Sequence, residues 1–411
     1  MKITEIEVHR ICVGYHDWIA DELEHYYGPS HRKVDVAHTD TGLQGLGESG
    51  ETEPQTVIDQ YLGSNPFDWL GDETSLGLGT AMYDLMGQAA GVPVHKLFGQ
   101  PHRRWVPVGS WTVSTHPERM ARAVREYAAQ GYTWLKYHLS PFENVFDQTE
   151  AMQVVAPRGF RIHYDFTMGG TDDHIPSLVE ELSRYPIAGC FEDPLPTQDI
   201  EGHIELRRRS RLPVVLHHLP LGATHEVLMG AADVYMLGHA RIGDAQKKAG
   251  LFAAAQRPFM LQNCGGTITR AMTTHMMAAF PTATFHFHSD AETFRSDVTR
   301  ERLEPVNGLL AVPQGPGLGV TLDRAELARL EAQQLPEKAP WIIRSRFAGG
   351  ARMYQLADPK QSIFMVRPDT RRQMTLSYTS PITTDYWDED GTPEYQAVRE
   401  RLAREGAILE K

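Results

Sequence analysis

A handful of polar residues sit where short apolar runs end, and their types are those of acid, base and metal chemistry. Lys136 and His138 close WLKYHL, Asp165 closes RIHYDF, and Glu192 and Asp193 close IAGCFED. His217 and His218 follow LPVVL, His239 follows VYMLG, and Gln262 and Asn263 end FMLQN. His286, His288 and Asp290 come from TFHFHSD. Asp165 and Glu192 are 27 residues apart, and Glu192 and His218 are 26 apart. Equal spacing gives these three equivalent places on successive repeats, from which their side chains can converge on one metal ion. Lys136 and His138 are two residues apart, so on a strand both face the same way. A lone acid after a strand is more often a helix cap or turn residue, and Asp193 before Pro194 reads that way.

The elements that must hold these residues follow a steady rhythm. From about residue 105, short strands rich in Val, Ile, Tyr and Phe alternate with single helices such as PERMARAVREYAAQG and DAQKKAGLFAAAQRP. That alternation means βαβ units and a parallel sheet. Strands fall near 107, 134, 162, 190, 215, 235, 260 and 286, and eight such units predict an α/β chain with a (β/α)8-type, TIM-like barrel. The active site then belongs at the carboxyl ends of the strands, where the polar residues lie. Residues 1–105 alternate strand-like runs with turns and then turn helical, which predicts an α+β capping domain. Residues 106–325 form the barrel. Residues 326–411 partly complete the cap and are otherwise unplaced from pattern; they include SIFMVRPDTRRQMTLSY and a terminal charged helix. DWIADELEHYYGPSH, polar and aromatic, reads as a mobile loop.

Composition bounds the function. The chain has 411 residues, 41% hydrophobic and 23% charged, enough to bury a large core without disulfides. Three distant cysteines exclude a CxxC zinc or redox site and suit a reducing, cytoplasmic compartment. A net charge of −13 argues against a nucleic-acid partner. No apolar run is long enough to cross a membrane, and no signal peptide is visible.

Several segments carry a resemblance. GLQGLGESG matches a G-x-x-G-x-G-E hairpin. AMYDLMGQAAGVPVHKLFG matches a helix and loop, WLKYHL a K-x-K strand with His second, and FEDP an E-x-P motif. NGLLAVPQGPGLGVTLD, the most specific, matches a barrel-closing motif. Together they span residues 1–325, and the chain resembles the mandelate racemase/muconate lactonizing enzyme subgroup of the enolase superfamily. FHFH also resembles the HxH pair of zinc hydrolases, which carry it on their first barrel strand, not the last.

The enolase-type resemblance implies a capping domain over a barrel and Mg²⁺ held at the ends of barrel strands 3, 4 and 5. Asp165 and Glu192 fit the first two ligand places. The third, normally Asp or Glu, falls on the histidine pair; aligning LPVV puts His218 in the Glu position and His217 in an alternative Asp position, so His218 is the expected ligand. Imidazole suits Mn²⁺ or another divalent metal better than Mg²⁺. The family's strand-7 catalytic His aligns with Gln262 and its partner Asp with Gly238, followed by His239, so a two-base racemisation is not expected. What remains is abstraction of the proton next to a carboxylate, a step enolase-type sites perform with a Lys or His base. His138 is the expected base and Lys136 a donor to the substrate carboxylate. His239, His217 or His288 is the expected acid for loss of a β-hydroxyl, with His239 placed in the catalytic set, while His25, Tyr27, Gln262 and His288 contact substrate. The expected activity is an acid-sugar dehydratase acting on a small-molecule carboxylate, in a homo-oligomer. An epimerase, racemase or cycloisomerase on a related acid or lactone, or a silent carboxylate-binding member, are the alternatives.

Overall fold

The computed structural model describes residues 1–50, 52–167, 174–334, 340–357 and 377–411. The tail stretch SIFMVRPDTRRQMTLSY lies outside these except for its last two residues.

The chain opens with an antiparallel sheet of β1 (Ile3–Cys12), β2 (His31–Thr39) and β3 (Gln44–Ser49), in that order. Helix α3 (Leu76–Ala90) lies directly on β3, following α2 (Gln55–Tyr61). Ser75 caps the N-terminus of α3 by accepting from the Leu78 amide, and Gly91, at φ 66°, ends it. The glycines of the GLQGLGE hairpin allow this approach. A Cβ on Gly45 would stand 2.3 Å from the Ala81 carbonyl oxygen, and one on Gly47 2.2 Å from that of Gly77. Asp84 then ties the layer to the barrel-closing motif, accepting from the amides of Leu46 at 3.0 Å and Leu318 at 2.8 Å.

The segment expected as a mobile loop contains helix α1 (Ala20–Tyr27). Leu23 and Tyr26, three residues apart on one helix face, are 0% and 1% exposed, and Asp21 and Glu22 stand in the positive first turn. Apolar spacing too short to register as a period is rescued here by tertiary burial.

Seven parallel strands follow as one sheet: β5 (Ser110–Val113), β6 (Trp134–His138), β7 (Arg161–Asp165), β8 (Ala188–Glu192), β9 (Val214–Leu216), β10 (Val234–Gly238) and β11 (Phe259–Gln262). They pair strictly in sequence order. The helices between them are α4 (Pro117–Ala129), α5 (Val145–Val155), α6 (Ile175–Leu182), α7 (Ile200–Arg209), α8 (Thr224–Met229) and α9 (Ile242–Ala254); α10 (Thr267–Ala279) follows β11. Two expected strands differ. The run near 107, β4 (Trp105–Pro107), pairs antiparallel with β12 (Leu309–Ala311), and the first parallel strand is β5. The run near 286 pairs by single parallel bridges, Val108 to Phe287 and Gln262 to His288, so it links the two edges of the sheet without being a regular strand.

After α11 (Arg324–Glu331), the tail forms a second antiparallel sheet, ordered β15-β13-β14-β16: β13 (Trp341–Phe347), β14 (Arg352–Ala357), β15 (Ile382–Trp387) and β16 (Ile408–Glu410). Helix α12 (Pro393–Glu405) covers it, burying Tyr395 and Leu402 against Ile342 and Ile408. Thr384 of β15 donates to Glu143 and Phe142, and Asp388 meets His25 of α1 at 3.0 Å, so this unit leans on the mouth of the sheet. No helix among the described residues is long and apolar enough to cross a membrane.

Candidate active site

Side chains alternate along a strand, and here alternation builds the site. Inward residues Cys190, Val215, Met236 and Met260 fill an apolar layer with Trp134 and Phe285. One pleat on, the same faces present Glu192, His217, Gly238 and Gln262; Lys136 and His138 face inward on β6, and His163 and Asp165 on β7. Chemistry thus begins where the apolar filling stops, at the carboxyl ends of the strands.

Lys136 is the hub, fully buried at 0% exposure. Its Nζ lies 3.0 Å from Asp165 Oδ2, 2.7 and 2.8 Å from the two oxygens of Glu192, and 2.6 Å from Gln262 Oε1. Burial alone would lower the Lys136 pKa, but Asp165 and Glu192 more than reverse it, so it stays an ammonium. Burial would likewise raise Glu192; Lys136 and the hydrogen bonds of His163 and His217 hold it well below the usual carboxylate range. For Asp165, burial and the charge of Glu192 push up, and Lys136 and His138 pull it down.

His138 bridges two partners. Its Nε2 is 3.0 Å from Asp165 Oδ2 and its Nδ1 3.0 Å from the Tyr27 hydroxyl. A phenol is protonated at neutrality, so Tyr27 donates to Nδ1 and Nε2–H faces Asp165. Above these residues opens a cavity of about 420 Å³, lined by Tyr27, Asp165, His138, His217, His218, His239, Gln262 and His288.

Of the residues expected to act, Lys136, His138, Asp165, Glu192 and Gln262 come together, with Tyr27, His239 and His288 in the cavity wall. Two placements differ from expectation. His25 does not line the cavity; it is 2% exposed, stacked 4.6 Å from Tyr386 and bonded to Asp388. His217, not His218, reaches Glu192, with Nδ1 2.9 Å from Oε1. Glu192 pairs in register with Val215, so the next inward residue of that chain is His217, and His218 is exposed, stacked on it at 4.2 Å. Arg32, Trp111, Cys264 and Asp290 also line the cavity and were not selected as site residues from sequence. Asp290 alone carried a signal, two residues beyond His288.

Two departures from the resemblance are one event in space. A Cβ on Gly238 would stand 2.0 Å from His217 Nε2, so the imidazole at 217 occupies the volume of a side chain at 238.

The profile of the family described as Enolase C-terminal domain-like matches residues 119–326, half of the chain. The chain belongs to the enolase superfamily. Within it, the relatives place the chain in the mandelate racemase/muconate lactonizing branch, a family of enzymes. It is 25% identical to cis-3-hydroxy-L-proline dehydratase of Roseibium aggregatum, over 66% of this chain and 73% of that one. Muconate cycloisomerase 1 of Rhodococcus opacus is 26% identical over 59% of this chain and 68% of its own. The fold resembles that of a dipeptide epimerase from Cytophaga hutchinsonii, solved with Mg and D-Ala-L-Val. That match has a TM-score of 0.69 and 18% identity, and it covers 80% of this chain and 98% of the epimerase. This enolase-superfamily member therefore has a barrel-type α/β fold under an α+β cap, and its chemistry is of the lyase or isomerase kind.

Proposed function

We propose that this protein is a metal-dependent lyase that removes the proton next to a carboxylate and expels a β-hydroxyl as water from a polyhydroxy acid. The observation that carries the reading is the one-sided layout of the site. A candidate base, His138, and a fixed ammonium, Lys136, stand on one strand beside two ionised carboxylates. The two places where the resembled racemases carry their second base and its partner hold Gln262 and Gly238, neither of which can take up a proton.

The donor types, two ionised carboxylates and a neutral imidazole, suit a divalent cation. Oxygens of Asp165 and Glu192 already converge on one positive charge, Lys136 Nζ, at 2.7–3.0 Å. His217 Nδ1 and Glu192 Oε1, 2.9 Å apart, have the separation of two neighbouring ligands of one ion with bonds of about 2.1 Å. Burial pushes the His217 pKa down, which favours the neutral form a metal needs. Asp165, Glu192 and His217 would hold the ion, Mg²⁺ or, given the imidazole, Mn²⁺. When bound, it would supply Lewis-acid stabilisation of the charge that develops on the substrate carboxylate.

The chain's own residues do the rest. Lys136, Asp165 and Glu192 sum to one negative charge, so a divalent ion leaves the site one positive, suited to a carboxylate ligand. Lys136 stays protonated and holds the carboxylates of Asp165 and Glu192 and the amide of Gln262 in place beneath the cavity. His138 accepts the α-proton on Nδ1, the nitrogen now covered by Tyr27, whose hydroxyl yields that place to the substrate. Asp165 holds the opposite edge of the imidazole and stabilises the imidazolium that forms. His239, across the cavity, donates a proton to the leaving hydroxyl. The sugar-acid dehydratases among the relatives support this class of substrate.

The test is deuterium exchange. A library of sugar acids incubated in D₂O with the metal-loaded protein should yield one acid that gains deuterium at the α-carbon and then forms a keto acid. His138→Ala should lose exchange by about 10²–10⁴-fold while still binding metal and acid. Exchange at the wild-type rate in His138→Ala would remove the base assignment, and absence of exchange with every acid would favour a silent binder.

A further inference from the structure

One pleat below the carboxylates, three histidines meet inside the barrel: His163 on β7, and His286 and His288 on the segment joining β11 to β5. They are 0%, 2% and 2% exposed. Their ring centroids form a nearly equilateral triangle, with sides of 5.2, 5.5 and 5.1 Å. Three imidazoles bound to one tetrahedral ion through bonds of about 2.0–2.1 Å would have centroids about 5.2 Å apart. His163 Nδ1 and His286 Nε2 already face each other at 3.0 Å.

Two observations distinguish this cluster from ordinary packed histidines. Both ring nitrogens of His288 are buried without a hydrogen-bond partner, a cost a core does not normally carry. His163 turns its other nitrogen, Nε2, to Glu192 Oε2 at 2.7 Å. A carboxylate at that distance orients the ring, with the far nitrogen, Nδ1, turned to His286 Nε2. The space is also made for the pair on the last segment. A Cβ on Gly109 would stand 2.5 Å from His288 Cε1 and 2.9 Å from His286 Cδ2, and Trp134 stacks on His286 at 4.0 Å.

We propose that His163, His286 and His288 form a second metal site, selective for a borderline divalent ion such as Zn²⁺ or Co²⁺. Three neutral nitrogens and no oxygen suit those ions and disfavour Mg²⁺. Lys136, the nearest positive charge, is already matched by Asp165 and Glu192. His288 lines the cavity, so an ion has a route in. The site does not depend on the proposed reaction; it shares with the upper site only Glu192, which would stand between the two.

The test uses the full chain, stripped with chelator, in the Asp165→Asn background that weakens the upper site. Titration with Co²⁺, read by its visible absorption, should show one equivalent bound in a tetrahedral field, unaffected by excess Mg²⁺. Adding His286→Gln or His288→Gln should weaken Co²⁺ binding by at least about tenfold. No uptake in Asp165→Asn, or uptake unchanged by both histidine substitutions, would overturn the proposal. Should those variants fail to fold, wild-type crystals soaked in Zn²⁺ decide. An anomalous peak among the three rings supports the site, and a peak confined to Asp165 and Glu192 overturns it.

Discussion

Each charge at the centre of this site exists because another cancels it, so single substitutions there should act strongly. Asp165→Asn or Glu192→Gln removes a charge from the proposed ligand set and leaves Lys136 under-neutralised in a buried place. Either variant should lose turnover and bind divalent metal at least about tenfold more weakly, measured by dialysis against the metal. Gly238→Ala is a subtler probe. Its new methyl needs the volume of His217, so the imidazole must leave Glu192. Metal affinity should fall as it does in His217→Ala, while His218→Ala should leave it near wild type. Asp165 and Glu192 were legible in sequence because β7 and β8 end in the same register, one 27-residue repeat apart. The histidine pair was not, because β9 has three residues and spacing alone cannot say which neighbour takes the inward turn; pairing of Glu192 with Val215 decides it.

At the scale of elements, α1 is the piece that the sequence concealed. Its eight residues carry too little apolar periodicity to announce a helix, and their burial depends on partners far along the chain. The helix fixes Tyr27 on His138, so loosening it should reach the chemistry. Leu23→Ala, at a fully buried position, should cost about 2–5 kcal/mol in unfolding free energy by denaturant titration. Tyr27→Phe should leave stability nearly unchanged and alter kcat more than metal affinity, since it removes only the hydroxyl on Nδ1. Six of the barrel strands, β6 to β11, were readable by contrast: short, apolar and regularly spaced runs leave few other folds, while the runs near 107 and 286 were not regular members of the sheet. The glycine motifs were readable as signatures, but their physical purpose, letting α3 rest on the β3 backbone, needed coordinates.

For the molecule as a whole, the C-terminal sheet is the addition that pattern could not place, since β13 pairs with β15 and β14 with β16, strands well separated along the chain. Its junction with the barrel should impose a pH dependence. Burial pushes the Glu143 carboxyl up to about 8, against an ordinary value near 4.5. A raised acid binds its proton more tightly in the folded state, so its ionisation costs stability as pH climbs from about 4.5 to about 8, and the cost levels off above. Glu143→Gln should therefore gain on wild type across that interval, by on the order of a few kcal/mol at pH 9. An equal difference at pH 5 and pH 9, in paired denaturant titrations, would contradict this.

The bond between His25 and Asp388 spans 363 positions. The residue that seats α1 over His138 is thus made well after the barrel. On a ribosome, the barrel emerges with all the proposed ligands before the strand that anchors its mouth. The order of synthesis therefore delays a finished entrance until β15 has followed the barrel, and a message cut short after the barrel would yield the proposed ligands without it.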